Sequence, residues 1–334
     1  MAPILLIHQG ALGDLILSLP AFYSLRIFSA HASWTIAGNL ETLSLLEDRF
    51  YAQRIVSIHQ KEWAALFQEE AGLPEPFHRF LASFQQAFVF SKRKPELFLR
   101  GLNRAGLKNV LWIPSQPDEE RRLSLPAIQK EMLASQKIPW VEPEKTVFPN
   151  PDDLRKGREL LERVTSREGH QGPGWAIHPG SGSPNKNWPW ERFLETASAL
   201  DQRTGLRPFF LLGPVETETS REMTGKIENL GFPILRDISL PILAGLLSQC
   251  AGYLGNDSGV SHLAAALGIP AFLLFGPTDP EIWGPKGKNV KILSPDQPCA
   301  PCSLERARTC PEKECLFSLT VRQVLDWILP VVQG

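Results

Sequence analysis

The side chains best suited to chemistry in the second half of the chain fall in one run, Asn256-Asp257-Ser258-Gly259, followed closely by Ser261-His262. An apolar segment leads into that run from Gly252. After it come Ala264-Ala265-Ala266, the stop signals Gly268 and Pro270, and a second apolar run, Ala271 to Phe275, ending in Gly-Pro-Thr. This order predicts a strand, a helix from Ser261 to Leu267, and a second strand. Asp257 or Ser258 would cap the helix and leave the amides of Gly259, Val260 and Ser261 at its positive end. Such an end attracts anions, and a diphosphate is the natural candidate. Gly259 has no Cβ to keep a ligand from the backbone, and His262 on the first turn would reach the same anion. The same residues also suit an ordinary capped helix in an α/β domain, with His262 a satisfied structural histidine.

Three more loops carry candidate groups. After the apolar run Trp175 to His178 comes Pro179-Gly180-Ser181-Gly182-Ser183-Pro184, then Lys186. Its amides, the Ser181 hydroxyl and the Lys186 charge could hold phosphate oxygens, although the spacing is not that of a Walker A loop. A surface turn with a solvated lysine is the plainer alternative. Pro208 to Leu212 reads as a strand with Glu216 and Glu218 beyond it, and either carboxylate could accept ribose hydroxyls. Near the start, Pro3 to His8 reads as a strand, Gly10 and Gly13 bracket a tight loop, and a helix follows from Leu15 to Arg26. Asp14 stands at the mouth of that helix, as an acidic cap or as a catalytic carboxylate. The GxGxxG spacing of a dinucleotide fold is missing.

These loops need a scaffold of strands with helices between them. Further strands are expected at Ser33 to Ala37, Arg54 to Ile58, Ala87 to Phe90 and Ile234 to Asp237, and helices near Leu40 to Leu46, over residues 60–85 and from Thr320 to Leu329. Loops that follow the strands of a parallel sheet share its carboxyl edge, where ligands bind. At 334 residues the chain exceeds what one core usually supports, so two domains are expected. The proline-rich Pro143 to Pro151 stretch places the boundary near residue 150, giving domains 1–150 and 151–334.

With 35 basic and 36 acidic side chains the balance calls for no nucleic acid, so any anionic partner must be met locally. Lys92, Arg93 and Lys94, then Arg100, Arg104 and Lys108, with Arg121 and Arg122 beyond, form such a patch unless they are simply solvated. The first apolar run is not a secretory signal, and no run approaches a bilayer span. A cytoplasmic protein is expected, with at most peripheral contact to a membrane. Cys299, Cys302, Cys310 and Cys315 could hold zinc or iron tetrahedrally, but the second pair lacks CxxC spacing.

Asn-Asp-Ser-Gly, then Ser-His-Leu-Ala-Ala-Ala-Leu-Gly-Ile-Pro and Phe-Gly-Pro-Thr, resembles the C-terminal motif of the glycosyltransferase family 9 heptosyltransferases, the ADP-heptose-using enzymes of lipopolysaccharide core assembly. Gly13-Asp14, the stretch from His178-Pro179-Gly180 to Trp188, and the cysteine-rich tail match as well. The resemblance implies a GT-B fold: two Rossmann-like α/β domains facing across a cleft, the first binding the acceptor and the second the nucleotide sugar. It implies inverting transfer of heptose from ADP-heptose to a lipopolysaccharide inner-core acceptor, with no cofactor and no catalytic metal. The lack of a DxD motif in the candidate donor loops agrees. Asp14 matches the proposed base and Lys186 the phosphate-binding lysine. Asp257, Gly259 and His262 match the donor motif, with Ser258 and Ser181 beside them, and Glu216 is a looser match to the ribose-binding glutamate. Lys92, Arg93, Arg121 and Arg122 would meet the charge of an acidic glycolipid. Similar cysteines recur in family tails without an obligatory metal, and the position of the loop outside every candidate ligand loop makes a structural role the expectation. Rival readings keep the fold but use another nucleotide sugar or a protein acceptor, or bind a nucleotide sugar without turnover.

Overall fold

The computed structural model describes residues 2–68, 72–166, 172–213, 221–302 and 304–333. The chain divides into two compact units, Met1–Phe148 and Pro149–Gly334. In the first, β1 (Pro3–His8), β2 (Ser33–Gly38), β3 (Arg54–Ser57), β4 (Gln86–Ser91) and β5 (Val110–Pro114) form a sheet of order β3-β2-β1-β4-β5. All its pairings are parallel, and His8 lies opposite Gly38 on one side and Phe90 on the other. The chain therefore winds outward from β1, then returns to β1's other flank at β4. Loops leaving β1 and β4 diverge there, which opens a crevice at their carboxyl ends. Being central, β1 is apolar on both faces, as parallel sheets covered on both sides require. Its Leu5 and Ile7 pack with Trp63, Val89 and Phe98.

The second unit repeats the plan with one more strand. β6 (Gly174–His178), β7 (Arg207–Leu212), β8 (Ile234–Arg236), β9 (Gly252–Asn256), β10 (Ala271–Leu274) and β11 (Val290–Leu293) run in the order β11-β10-β9-β6-β7-β8. The reversal falls between β6 and β9, where His178 lies opposite Gly255. Both units thus have their switch point beside their own first strand.

Seven helices matter to the site and its supports: α1 (Leu12–Phe28), α2 (Leu125–Ser135), α3 (Pro151–Thr165), α4 (Trp190–Arg203), α5 (Leu240–Leu247), α6 (Gly259–Ala266) and α7 (Val321–Val332). α7 buries Val324, Leu325, Ile328 and Leu329 in the core that holds Phe193 and Leu200 of α4. α3 begins with a capping box, in which Asn150 and Asp153 satisfy each other's backbone amides. α3 and α5 meet through glycines: a Cβ on Gly157 would come 2.3 Å from Leu246 N, and one on Gly245 would come 2.1 Å from the Asp153 carbonyl.

Several expectations needed correction. Residues 60–85 are not one helix: Lys61–Ala64 and Glu75–Ala82 are separated by non-helical residues around Pro74, a residue that starts helices and does not continue them. α1 starts at Leu12, not Leu15, with Ala11 as its N-cap, so Asp14 is no cap but the third residue of the first turn. β5 and β11 went unanticipated: both are short, half-buried edge strands, and Lys291 interrupts the apolar run of β11.

Candidate active site

In the second unit the loops after β6 and β9 meet at the switch point. Ser258 alone caps α6, and its Oγ accepts the Ser261 amide at 3.2 Å. The Ser261 amide is therefore taken, against expectation, and only Gly259 and Val260 present first-turn amides without an intrahelical acceptor. The Ser261 hydroxyl donates back to the Asn256 carbonyl and lies 3.0 Å from Tyr253 OH. This ties the helix start to the end of β9.

Asp257 points from the end of β9 to the loop after β6. Its Oδ2 accepts from Lys186 Nζ at 2.7 Å and from Thr278 Oγ1 at 2.7 Å. His262 Nε2 stands 3.7 Å from Oδ1, too long for a strong hydrogen bond but close enough to be felt electrostatically. Burial alone would raise the Asp257 carboxyl, yet His262 and the Lys186 charge outweigh it and hold the group well below the usual carboxylate range. His262 is itself buried, and its Nδ1 has no hydrogen-bond partner among the described residues.

Asn256 holds the two ends of the Lys186 loop together. Its Nδ2 donates to the Pro179 carbonyl at 2.7 Å and its Oδ1 accepts the Trp188 amide at 3.0 Å. His178 Nδ1 lies 3.4 Å from Ser258 Oγ, and burial lowers that imidazole to about 4, so it is neutral at physiological pH. Ser181 Oγ is engaged inside the loop, with Ser183 O at 2.7 Å and Asn187 Oδ1 at 2.6 Å, so it shapes the turn. Glu216, and Glu218 with it, lies outside the described residues.

The cysteine-bearing segment backs this loop. Cys302 N donates to the Pro277 carbonyl at 2.7 Å, Lys313 Nζ to the Pro184 carbonyl at 2.9 Å, and Asn185 Nδ2 to the Ala307 carbonyl at 3.1 Å. Cys299, Cys302, Cys310 and Cys315 all line one small pocket together with Asn185 and Pro277. Among the described residues, no three His, Cys, Asp or Glu side chains are arranged to hold a metal ion.

In the first unit, Asp14 stands half-buried at the carboxyl end of β1. Lys92 and Arg93 are exposed in the loop after β4, the strand next to β1, so they leave the same sheet edge. Arg121 and Arg122 follow β5, one strand further out, and Arg121 pairs with Glu131 at 3.0 Å. Asn256, Thr278 and His178 all lie within motifs already singled out, but sequence reasoning gave none of the three a role, because their partners are distant in the chain.

Two parallel α/β units, each with its own switch point, define a GT-B fold. A structure called the glycosyl transferase family 9 from Veillonella parvula superposes with a TM-score of 0.81, covering 99% of this chain and 97% of the other at 17% identity. Escherichia coli heptosyltransferase WaaC with ADP gives 0.66, with 98% and 99% covered at 17% identity. The profile of glycosyltransferase family 9 (heptosyltransferase) matches residues 105–315, and the chain belongs to that family. Among its relatives, lipooligosaccharide heptosyltransferase 2 of Campylobacter jejuni is 23% identical over 94% of this chain and 93% of its own length. Lipopolysaccharide heptosyltransferase 1 of Pseudomonas aeruginosa is 32% identical over a shorter stretch, 42% of this chain and 39% of the relative. No described helix is long and apolar enough to cross a membrane.

Proposed function

We propose that the chain transfers heptose from ADP-heptose to an acidic lipopolysaccharide inner-core acceptor, with inversion and without a catalytic metal. The second unit is the donor domain and the first the acceptor domain. The observation that carries this reading is the Lys186–Asp257 pair beside the first-turn amides of Gly259 and Val260, which have no intrahelical acceptor, at the switch point of the second sheet. A lysine held by a carboxylate next to a helix end makes a preformed seat for a diphosphate. Relatives named as heptosyltransferases, one of them solved with ADP, support the choice of donor.

Asp14 serves as the general base. It takes the proton from the acceptor hydroxyl as that oxygen attacks the anomeric carbon from the face opposite the diphosphate. The leaving group departs as an anion, stabilised by Lys186 and the α6 amides, so one base suffices. Lys92 and Arg93, on Asp14's sheet edge, meet the acceptor's negative charge, with Arg121 and Arg122 further out. Glu216, or Glu218, binds the ribose. The protein works in the cytoplasm, with peripheral contact where its glycolipid acceptor is presented.

The test is turnover of ADP-heptose with an inner-core acceptor, alongside thermal shifts against ADP, UDP, GDP and their sugars. A tight ligand stabilises by its mass-action term. Stabilisation by ADP-heptose with product formation supports the proposal. Selective stabilisation by another nucleotide sugar, or binding without turnover, would overturn it.

A further inference from the structure

His8 ends β1 and is 2% exposed. Its Nδ1 accepts the Gly10 amide at 3.2 Å, while its Nε2 lies 3.4 Å from Ser18 Oγ. Ser18 Oγ donates to the Asp14 carbonyl at 2.9 Å and accepts from Gln129 Nε2 at 3.2 Å. Gln129 Nε2 is anchored in turn by the Pro114 carbonyl at 2.9 Å, and both Ser18 and Gln129 are fully buried. These contacts fix the polarity of the chain. Because Nδ1 accepts an N–H, the imidazole proton sits on Nε2, Ser18 receives it, and the Ser18 proton goes to Asp14.

The network therefore grips the backbone on both sides of Asp14, at Gly10 before it and at its own carbonyl. Gly10 adds a steric constraint, since a Cβ there would come 2.6 Å from Asp14 Cβ and 2.7 Å from His8 Cε1. The ring is packed by Phe22 and Phe90, with centroids 5.9 and 6.0 Å away. Burial lowers the imidazole to about 4, against a smaller opposing pull from the Asp14 carbonyl.

We propose that His8 is a positioning residue for the transfer reaction: as a neutral imidazole it sets the Gly10–Gly13 turn and, through Ser18, the placement of the Asp14 carboxylate. The inference rests on Asp14 being the general base. Displacing a reacting group by about 1 Å is enough to lower a rate on the order of 100-fold, so the arrangement matters well before the fold is affected.

The test is a double-mutant cycle on the full chain, using His8→Leu, Asp14→Asn and the pair, with kcat and the KM for nucleotide sugar read separately. His8→Leu removes both ring contacts, and kcat should fall on the order of 100-fold with donor KM unchanged. In the Asp14→Asn background it should add little further loss, because a misplaced base and an absent base are the same defect. His8→Asn keeps an acceptor for the Gly10 amide, so it should recover part of the rate, and it carries the test if His8→Leu fails to fold. Independent, multiplying losses would mean that His8 does not act through Asp14, and would overturn the proposal. Wild-type kcat in both His8 variants, with Asp14→Asn inactive, would also overturn the proposal. A fully active Asp14→Asn would instead remove the base assignment on which it stands.

Discussion

Lys186 and Asp257 form an ion pair of 2.7 Å in which the carboxylate is 7% exposed and the lysine 31%. The lysine thus has one face toward a buried partner and one toward solvent. A diphosphate would share the charge without requiring the pair to break. Lys186→Ala should weaken ADP or ADP-sugar binding by about 1.5–3 kcal/mol, the worth of a charge-assisted hydrogen bond. It should also lower the thermal midpoint, since it strands a buried carboxylate. Adding Asp257→Asn removes that stranded charge and should restore stability without restoring affinity. Calorimetry showing unchanged affinity for Lys186→Ala would move the phosphates elsewhere.

Asp14→Asn keeps the shape of the side chain at the third position of α1 but cannot take a proton. The expected result is a rate loss on the order of 100-fold or more, with donor affinity and melting temperature nearly unchanged. Wild-type turnover, or a loss explained by unfolding, would send the search for the base elsewhere in the first unit.

Asn256 makes a prediction about the loop and not the ligand. Asn256→Leu would strand the buried Pro179 carbonyl and the Trp188 amide, each at about 1–3 kcal/mol. Chemical denaturation should register that loss, and donor affinity should fall with it as the Lys186 loop loosens. A stable variant with slack binding would assign Asn256 a direct contact with the ligand.

His8 and His178 occupy the same topological place, the last residue of the first strand in each unit, and burial lowers both to about 4. The unfolded chain takes up protons near pH 6.5 that the folded chain refuses until about pH 4. This contribution to stability is therefore complete above about pH 6.5 and lost as pH falls toward 4. Each histidine contributes about 3 kcal/mol over that range, and roughly 2 kcal/mol of it should be gone by about pH 5. Denaturation across this window should show both units weakening. His178→Asn should flatten the response of the second unit alone, and an unaltered slope in that variant would refute the assignment.

The cysteine segment is expected to act as a structural backing for the Lys186 loop. Its contacts with the loop carry that role: Lys313 Nζ donates to the Pro184 carbonyl and Asn185 Nδ2 to the Ala307 carbonyl. Elemental analysis should give less than one equivalent of zinc or iron. A stoichiometric metal whose removal unfolds the protein would reverse the assignment.

The sequence signals that read correctly were those with local causes. Gly252 to Phe275 carries its strand, cap, helix and stop signals within a few residues, and the structure follows that order, with the helix starting two residues early. What stayed hidden depends on contacts between distant segments. Nothing near Asn256 in the chain reveals that it joins Pro179 to Trp188, and Thr278 meets Asp257 only because β9 and β10 are neighbours. His8 reads as the end of an apolar strand, and its bond to Gly10 and its link through Ser18 to Gln129 emerge only once α1 and α2 are in place. Edge strands such as β11 escape because half-exposed residues break the apolar run that would announce them.

The glycine contact between α3 and α5 bears on where the chain can be cut. With backbone against backbone at Gly157 and Gly245, α3 is an integral layer of the second unit and not a tether leading to it. A fragment begun at Gly172, just before β6, would bare the α5 face that includes Gly245, and Arg158 and the Leu154 carbonyl would no longer meet Gln249. Beginning at Pro149 keeps Asn150 as the cap of α3 and the two helices in register. The sequence available for linker redesign, domain exchange or separate expression of the second unit therefore ends at Phe148.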